Sequence, residues 1–238
     1  MDFRTQGFVG KAFLISEPVR VRDGLAGIAR LIADGHKPAE IVGQNLAGPR
    51  DIATVIAAVG LESCGGLGVP LQMGKPLDEA LRPMLVTSYW GKFFPDARET
   101  AVLNLSAGLL QIYDFWEESH AAAQRADDLG EHRLSAHWHA ICHRREPDAG
   151  NANYWWARVG KNPLANALTE LIENSLTDQS AGIKTIAAKL LDRGQFSDRA
   201  MVAQSLAVKP CSEEANFLRL IQKYEMLLLF DLTLDQLT

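Results

Sequence analysis

From Val102 to Trp116 the apolar side chains Val102, Leu105, Leu109, Ile112 and Trp116 fall at alternating three- and four-residue steps, the spacing that lines one face of an α-helix. The same rule applied along the chain yields helices and little else. Leu25, Ile28, Ala29 and Ile32 predict a helix over 18–34, stopped by Gly35, and two shorter ones follow over 38–46 and 51–59, parted by Gly48-Pro49. The glycine-rich stretch 60–76 reads as a long loop, an ordinary flexible connection. Pro76-Leu77-Asp78 opens another helix, and Phe94-Pro95-Asp96 precedes a long one over 97–126. A further helix over 131–146 is limited by Pro147, and Asn151 is expected to cap a short one through Arg158. Beyond Gly160, helices are expected from Asn162-Pro163 to Glu173 and over 180–192, 198–207 and 212–230. The one strand signal is the short run 8–15. The expectation is an all-α chain, a single compact multi-helix domain over 1–238 with at most a short N-terminal strand. Within it, an N-terminal helical layer over 1–60 precedes the glycine-rich loop over 60–76 and a site-bearing helical core over 77–238.

Composition narrows the partners. With 47% hydrophobic and 22% charged residues among 238, the chain can bury a sizeable core. Its 24 basic residues against 29 acidic ones leave −5, which argues against a nucleic-acid binder. The helix pair over 38–59 has the outline of a helix-turn-helix, but Lys37, Glu40, Arg50 and Asp51 cancel and leave no phosphate-binding surface. Cys64, Cys142 and Cys211 are too few and too scattered for a disulfide framework or a four-cysteine zinc site. The N-terminal residues lack a continuous apolar segment, and the apolar run near 226–230 is far below the ~20 residues of a membrane helix. A cytoplasmic protein with no membrane partner is expected.

Five of the six histidines, His120, His132, His137, His139 and His143, fall within 24 residues, and His36 lies far upstream. Extending the Val102–Trp116 seam by one step of four reaches His120 and by another Gln124, with Glu117 on the adjoining flank. In the following helix Leu134, Trp138 and Ile141 share one face, and His132, His139 and His143 form a separate stripe bordered by Ala136 and Ala140. The two helices are expected to pack antiparallel across the link over 127–131, bringing His120 to the stripe.

Three chemistries fit this pattern. His139 and His143, one turn apart, can place two imidazoles on one divalent ion such as zinc, with His120 as third ligand and Glu117 or Glu118 as fourth ligand or water-activating base. The spacing is HxxxH, with Ala140 where a zinc protease carries Glu. Alternatively His139 or His143 acts as general acid or base while Arg144, Arg145 or Arg158 anchors a carboxylate or phosphate. In that reading Gln124, Asn151, Tyr154 and Trp155 complete a pocket for an anionic small molecule, with Trp156 as further flat surface. The third reading is a non-catalytic helical module whose histidines cap and hydrogen-bond, and whose Arg144 and Arg145 pair with Glu146 and Asp148 to lock the turn. Cys142 points about 100° away from His143, so their adjacency is no nucleophile pair.

The run Trp138-His139-Ala140-Ile141-Cys142-His143-Arg144-Arg145-Glu146-Pro147-Asp148, continued by Asn151-Ala152, Tyr154-Trp155 and Arg158-Val159-Gly160, resembles the signature of an uncharacterised family of bacteria and fungi. Ser119-His120 with Gln124 resembles the same pattern, so the likeness spans residues 109–164. It implies a shared site region and brings no established activity. Two features depart from the family: the link over 127–136 is longer, and Asn162-Pro163 stands where His-Pro is expected.

Overall fold

The computed structural model describes residues 49–237. The helices expected over 18–34 and 38–46, the strand over 8–15 and His36 lie outside them. Nine helices of ten or more residues carry the described structure: α1 (Pro49–Leu61), α2 (Glu99–Ile112), α3 (Trp116–Asp128), α4 (Leu134–Arg145), α5 (Ala149–Val159), α6 (Ala165–Asn174), α7 (Ala181–Leu190), α8 (Asp198–Ala207) and α9 (Glu213–Leu234). The architecture is compact and all-α. Its one sheet among the described residues is a two-stranded hairpin, β1 (Leu191–Asp192) against β2 (Gln195–Phe196), in register Leu191 to Phe196. The helix expected over 180–192 therefore ends two residues early, where Arg193 and Gly194 take positive φ and turn the chain back.

α2 is the axis of the core. Its sequence is apolar on nearly every face, and all its residues from Ala101 to Ile112 are buried against α1, α3, α4 and α9. Close approach depends on Gly108, where an added Cβ would lie 2.7 Å from Trp138 and 3.2 Å from Phe230. Gly60, which ends α1 rather than opening a loop, faces Ile112 and Tyr113 in the same way. The Tyr113 hydroxyl donates to the Ile56 carbonyl at 2.7 Å and ties α1 to the end of α2.

The single helix expected over 97–126 is two helices. Asp114 takes φ +64° and ends α2, so α3 folds back antiparallel along it, with the Ser119 hydroxyl donating to the Ala107 carbonyl. The break falls where no proline or glycine marks it. Asp114 is buried, and its carboxylate accepts from the Gly74 amide at 2.9 Å and from Arg145 at 2.8 Å. Tertiary partners thus hold a backbone conformation that Asp adopts at modest cost.

α4 is buried along its whole length, from Leu134 to Arg145, although half of it is polar or charged. It packs on α2, α3, α5 and α9. Its start is capped from outside: the Glu131 carboxylate accepts from the amides of Arg133, Leu134 and Ser135 and from Asn104 of α2. Trp138, on the apolar face, donates to the Thr233 hydroxyl of α9 at 3.1 Å. α5 is capped by Asp148, not by Asn151, because Asp148 precedes the helix and accepts from the Asn151 amide at 3.0 Å.

The glycine-rich segment is not a free connection. Ser63–Gly66 forms a tight turn in which Cys64, Gly65 and Gly66 take positive φ, and α9 latches this turn and the residues around it: Arg219 donates to the Gly68 carbonyl, Gln222 to Val69 and Pro70, and Lys223 to Glu62 and Gly66. No described helix is long and apolar enough to cross a membrane.

Candidate metal centre

Three histidines meet where α3 crosses α4. His120 comes from α3, His139 and His143 from successive turns of α4, and one ligating atom from each lies within 4.8 Å of the others. The ring centroids of His120 stand 4.2 Å from His139 and 5.0 Å from His143, both edge-on, while His139 and His143 lie nearly parallel at 5.0 Å. Aromatic rings bound the group on two sides. Trp116 stacks on His120 at 5.2 Å and Trp155 of α5 on His139 at 3.8 Å. Trp116 is itself fixed by its indole N–H, which donates to the Cys142 carbonyl at 2.9 Å.

Polarity around the three rings is uneven. His143 Nδ1 lies 2.7 Å from Glu146 Oε2, so a proton held there fixes the tautomer and leaves Nε2 with its lone pair. His139 is 1% exposed, and its Nδ1 is buried with no hydrogen-bond partner among the described residues. Burial, reinforced by the neighbouring His120 and His143, pushes the His139 pKa down to about 3. His120 is half-buried and shifted downward for the same reasons. Both rings are therefore neutral at physiological pH, the form that ligates metals.

Several expected site residues stand elsewhere. Glu117 is exposed on α3, and Glu118 pairs with Arg82, so the carboxylate at the cluster is Glu146. The i, i+3 spacing from His143 was its sequence signal. His132 precedes α4 and is not part of the stripe. It lies 2.8 Å from Asp127, which also takes both oxygens to Arg158 at 2.8 and 2.9 Å. Although its partial burial acts in the opposite direction, these bonds hold Asp127 below the usual carboxylate range.

Arg144 and Arg145 are not ligand anchors facing a cavity. Both are fully buried, and neither pairs with Glu146 or Asp148. Arg144 donates to Glu225 at 2.5 Å and Gln222 at 3.3 Å, Arg145 to Asp114 at 2.8 Å and the Pro70 carbonyl at 3.0 Å. Burial pulls the Arg145 pKa down, and Asp114 opposes it. Glu225, which burial alone would raise, is brought below its ordinary range by Arg144 and His137. The two arginines tie α4 to α9 and to the α2–α3 break, and so position the histidines.

The remaining candidates flank the cluster at most. Gln124 bonds Asp128 on its own helix at 2.8 Å, and Asn151 is exposed and bonds Asp148 at 2.7 Å. Tyr154 is exposed. Arg158 lies over the Trp155 ring at 5.2 Å, and His139 also stacks on that ring. Cys142 is packed and bonded to Gln111 at 3.0 Å, its thiol pushed up to about 12 by burial, so it is no nucleophile.

Compared with family models, with curated proteins and with solved structures, the chain finds no match in any of the three.

Proposed function

We propose that the protein carries a divalent-metal centre of the zinc type, held by His120, His139 and His143, and that it activates water for hydrolysis of a small molecule. One observation carries the reading: three imidazole ligand atoms from two helices converge within 4.8 Å. A tetrahedral zinc with Zn–N bonds of about 2.0–2.1 Å sets its ligands about 3.3 Å apart, a contraction that side-chain rotation can supply. Glu146 on His143 supplies the carboxylate-to-histidine contact that metal sites use to orient a ligand. The His139 Nδ1, without a hydrogen-bond partner among the described residues, has a lone pair to offer such an ion. Three protein ligands would leave a fourth position for the water that such an ion activates, and His120 is the most exposed of the three. An anionic substrate would meet Arg158 beside Trp155 and not the buried Arg144 or Arg145. The resemblance to the uncharacterised family belongs to the same proposal. So does a reducing, cytoplasmic compartment, supported by three free cysteines.

A packing role is the second reading, favoured by the aromatic stacks of Trp116 on His120 and Trp155 on His139. Elemental analysis of protein purified without added metal, followed by zinc titration of chelated protein, separates the two. The metal reading expects about one ion per chain, lost in His139→Phe and His143→Ala variants that still fold, and ester or phosphoester hydrolysis that stops on chelation. Protein that takes up no zinc, with a His139→Phe variant as stable as the parent, leaves only the packing role.

A further inference from the structure

His137 and His139 lie two residues apart, about 200° around α4, so His137 serves the face opposite the three-histidine cluster. On that face a groove of about 960 Å³ opens between the first turns of α2 and α4 and the end of α9, and His137 lines it. The volume is that of a small-molecule site.

His137 is 1% exposed, and its Nε2 stands 3.7 Å from Oε1 of Glu225, the carboxylate that also pairs with Arg144. Its ring is held edge-on against Trp156 at 4.6 Å. The groove wall therefore includes a buried imidazole whose Nε2 is turned to the Glu225 carboxylate.

Two guanidiniums lie on the same groove. Arg133 is exposed and forms no ion pair among the described residues, and Arg98 is held only by the neutral amide of Gln236 at 3.0 Å. The acidic residues on the walls are engaged. Glu131 caps α4, Glu99 faces Arg125 at 3.8 Å, and Asp235 pairs with Arg50 at 3.2 Å. The first turn of α2 adds uncapped backbone amides, since Arg98 makes no side-chain cap. Between these donors the wall is apolar, with Leu134 and Val159 buried and Leu129 40% exposed.

We propose that this groove binds a monocarboxylic acid with an apolar body, its carboxylate held by Arg98 and Arg133 and its body laid over Leu129, Leu134 and Val159 beside His137. A single negative charge matches two guanidiniums, with the acids beside them already engaged, Glu99 and Asp235 by arginines and Glu131 by the α4 amides. The site is independent of the metal proposal.

Octanoate is the probe and octan-1-ol its uncharged control, titrated by calorimetry into the full chain, once chelated and once zinc-loaded. Octanoate is expected to bind once per chain with Kd below about 1 mM, at least about tenfold tighter than octanol, with the same affinity in both metal states. It should shift the His137 imidazole resonance. An Arg98→Ala/Arg133→Ala double variant changes only exposed side chains. It should keep its melting temperature and lose about tenfold or more in affinity, the loss of charge-assisted bonds. Absence of octanoate binding, equal binding of octanol, or affinity untouched in the double variant overturns the proposal.

Discussion

Replacing Asp114 with Asn tests whether Arg145 is structural. Asp114 is 3% exposed and Arg145 fully buried, with 2.8 Å between carboxylate and guanidinium, and the second carboxylate oxygen holds the Gly74 amide at 2.9 Å. Asn keeps the shape, tolerates the φ of +64° and still offers one acceptor oxygen. It leaves the Arg145 guanidinium buried without a counter-charge. Breaking a buried pair in this way costs about 3–5 kcal/mol, and the bond that Asn retains puts the expected loss near the lower figure, about 3 kcal/mol. With a urea slope of about 2–3 kcal/mol/M, the unfolding midpoint should fall by about 1 M at unchanged slope. Adding Arg145→Met removes the stranded charge and should restore much of the loss, a coupling that a double-mutant cycle reads directly. A loss below about 1 kcal/mol, within the range of an exposed pair, would contradict the structural role and return Arg145 to the ligand-binding groups.

Gly108→Ala drives a Cβ to 2.7 Å from Trp138, so stability should fall by about 1–3 kcal/mol in chemical denaturation; an unchanged midpoint would mean that α2 and α4 stand further apart. Glu146→Ala should weaken zinc affinity about 10–100-fold while the fold persists, measured by competition with a chelating dye; unchanged affinity removes Glu146 from the site. Asp198 has its pKa raised to about 6 by burial and then by the charge of Glu225, so its native form binds a proton that the unfolded chain has released. Stability should therefore fall as pH rises from about 4 through about 6. Asp198→Asn, which still accepts from Asn162, should be the more stable protein at neutral pH and lack that slope in a pH series of melting temperatures.

The helical class and the approximate extent of most helices are legible in the chain, because three- and four-residue apolar spacing and N-cap chemistry are local properties. Helices expected over 198–207 and through Arg158 appear as α8 and α5, and Gly160 stops α5 at φ +71°. The convergence of His120 with His139 and His143 was legible too, since an antiparallel helix pair with a short link fixes which turns meet. Long-range packing settled the rest. The α2–α3 break carries no local signal, because the apolar seam runs straight through Tyr113-Asp114-Phe115; Asp114 leaves the helix to reach Arg145 and Gly74, residues 31 and 40 positions away. The roles of Arg144 and Arg145 turned on the same distance in sequence. Their carboxylates sit on Glu225 and Asp114, whereas proximity along the chain pairs them with the adjacent Glu146 and Asp148. Glu146 was thereby free to hold His143. A charged side chain buried in a core takes whichever opposite charge the packing brings to it, and that choice belongs to the assembled helices and not to the neighbouring residues.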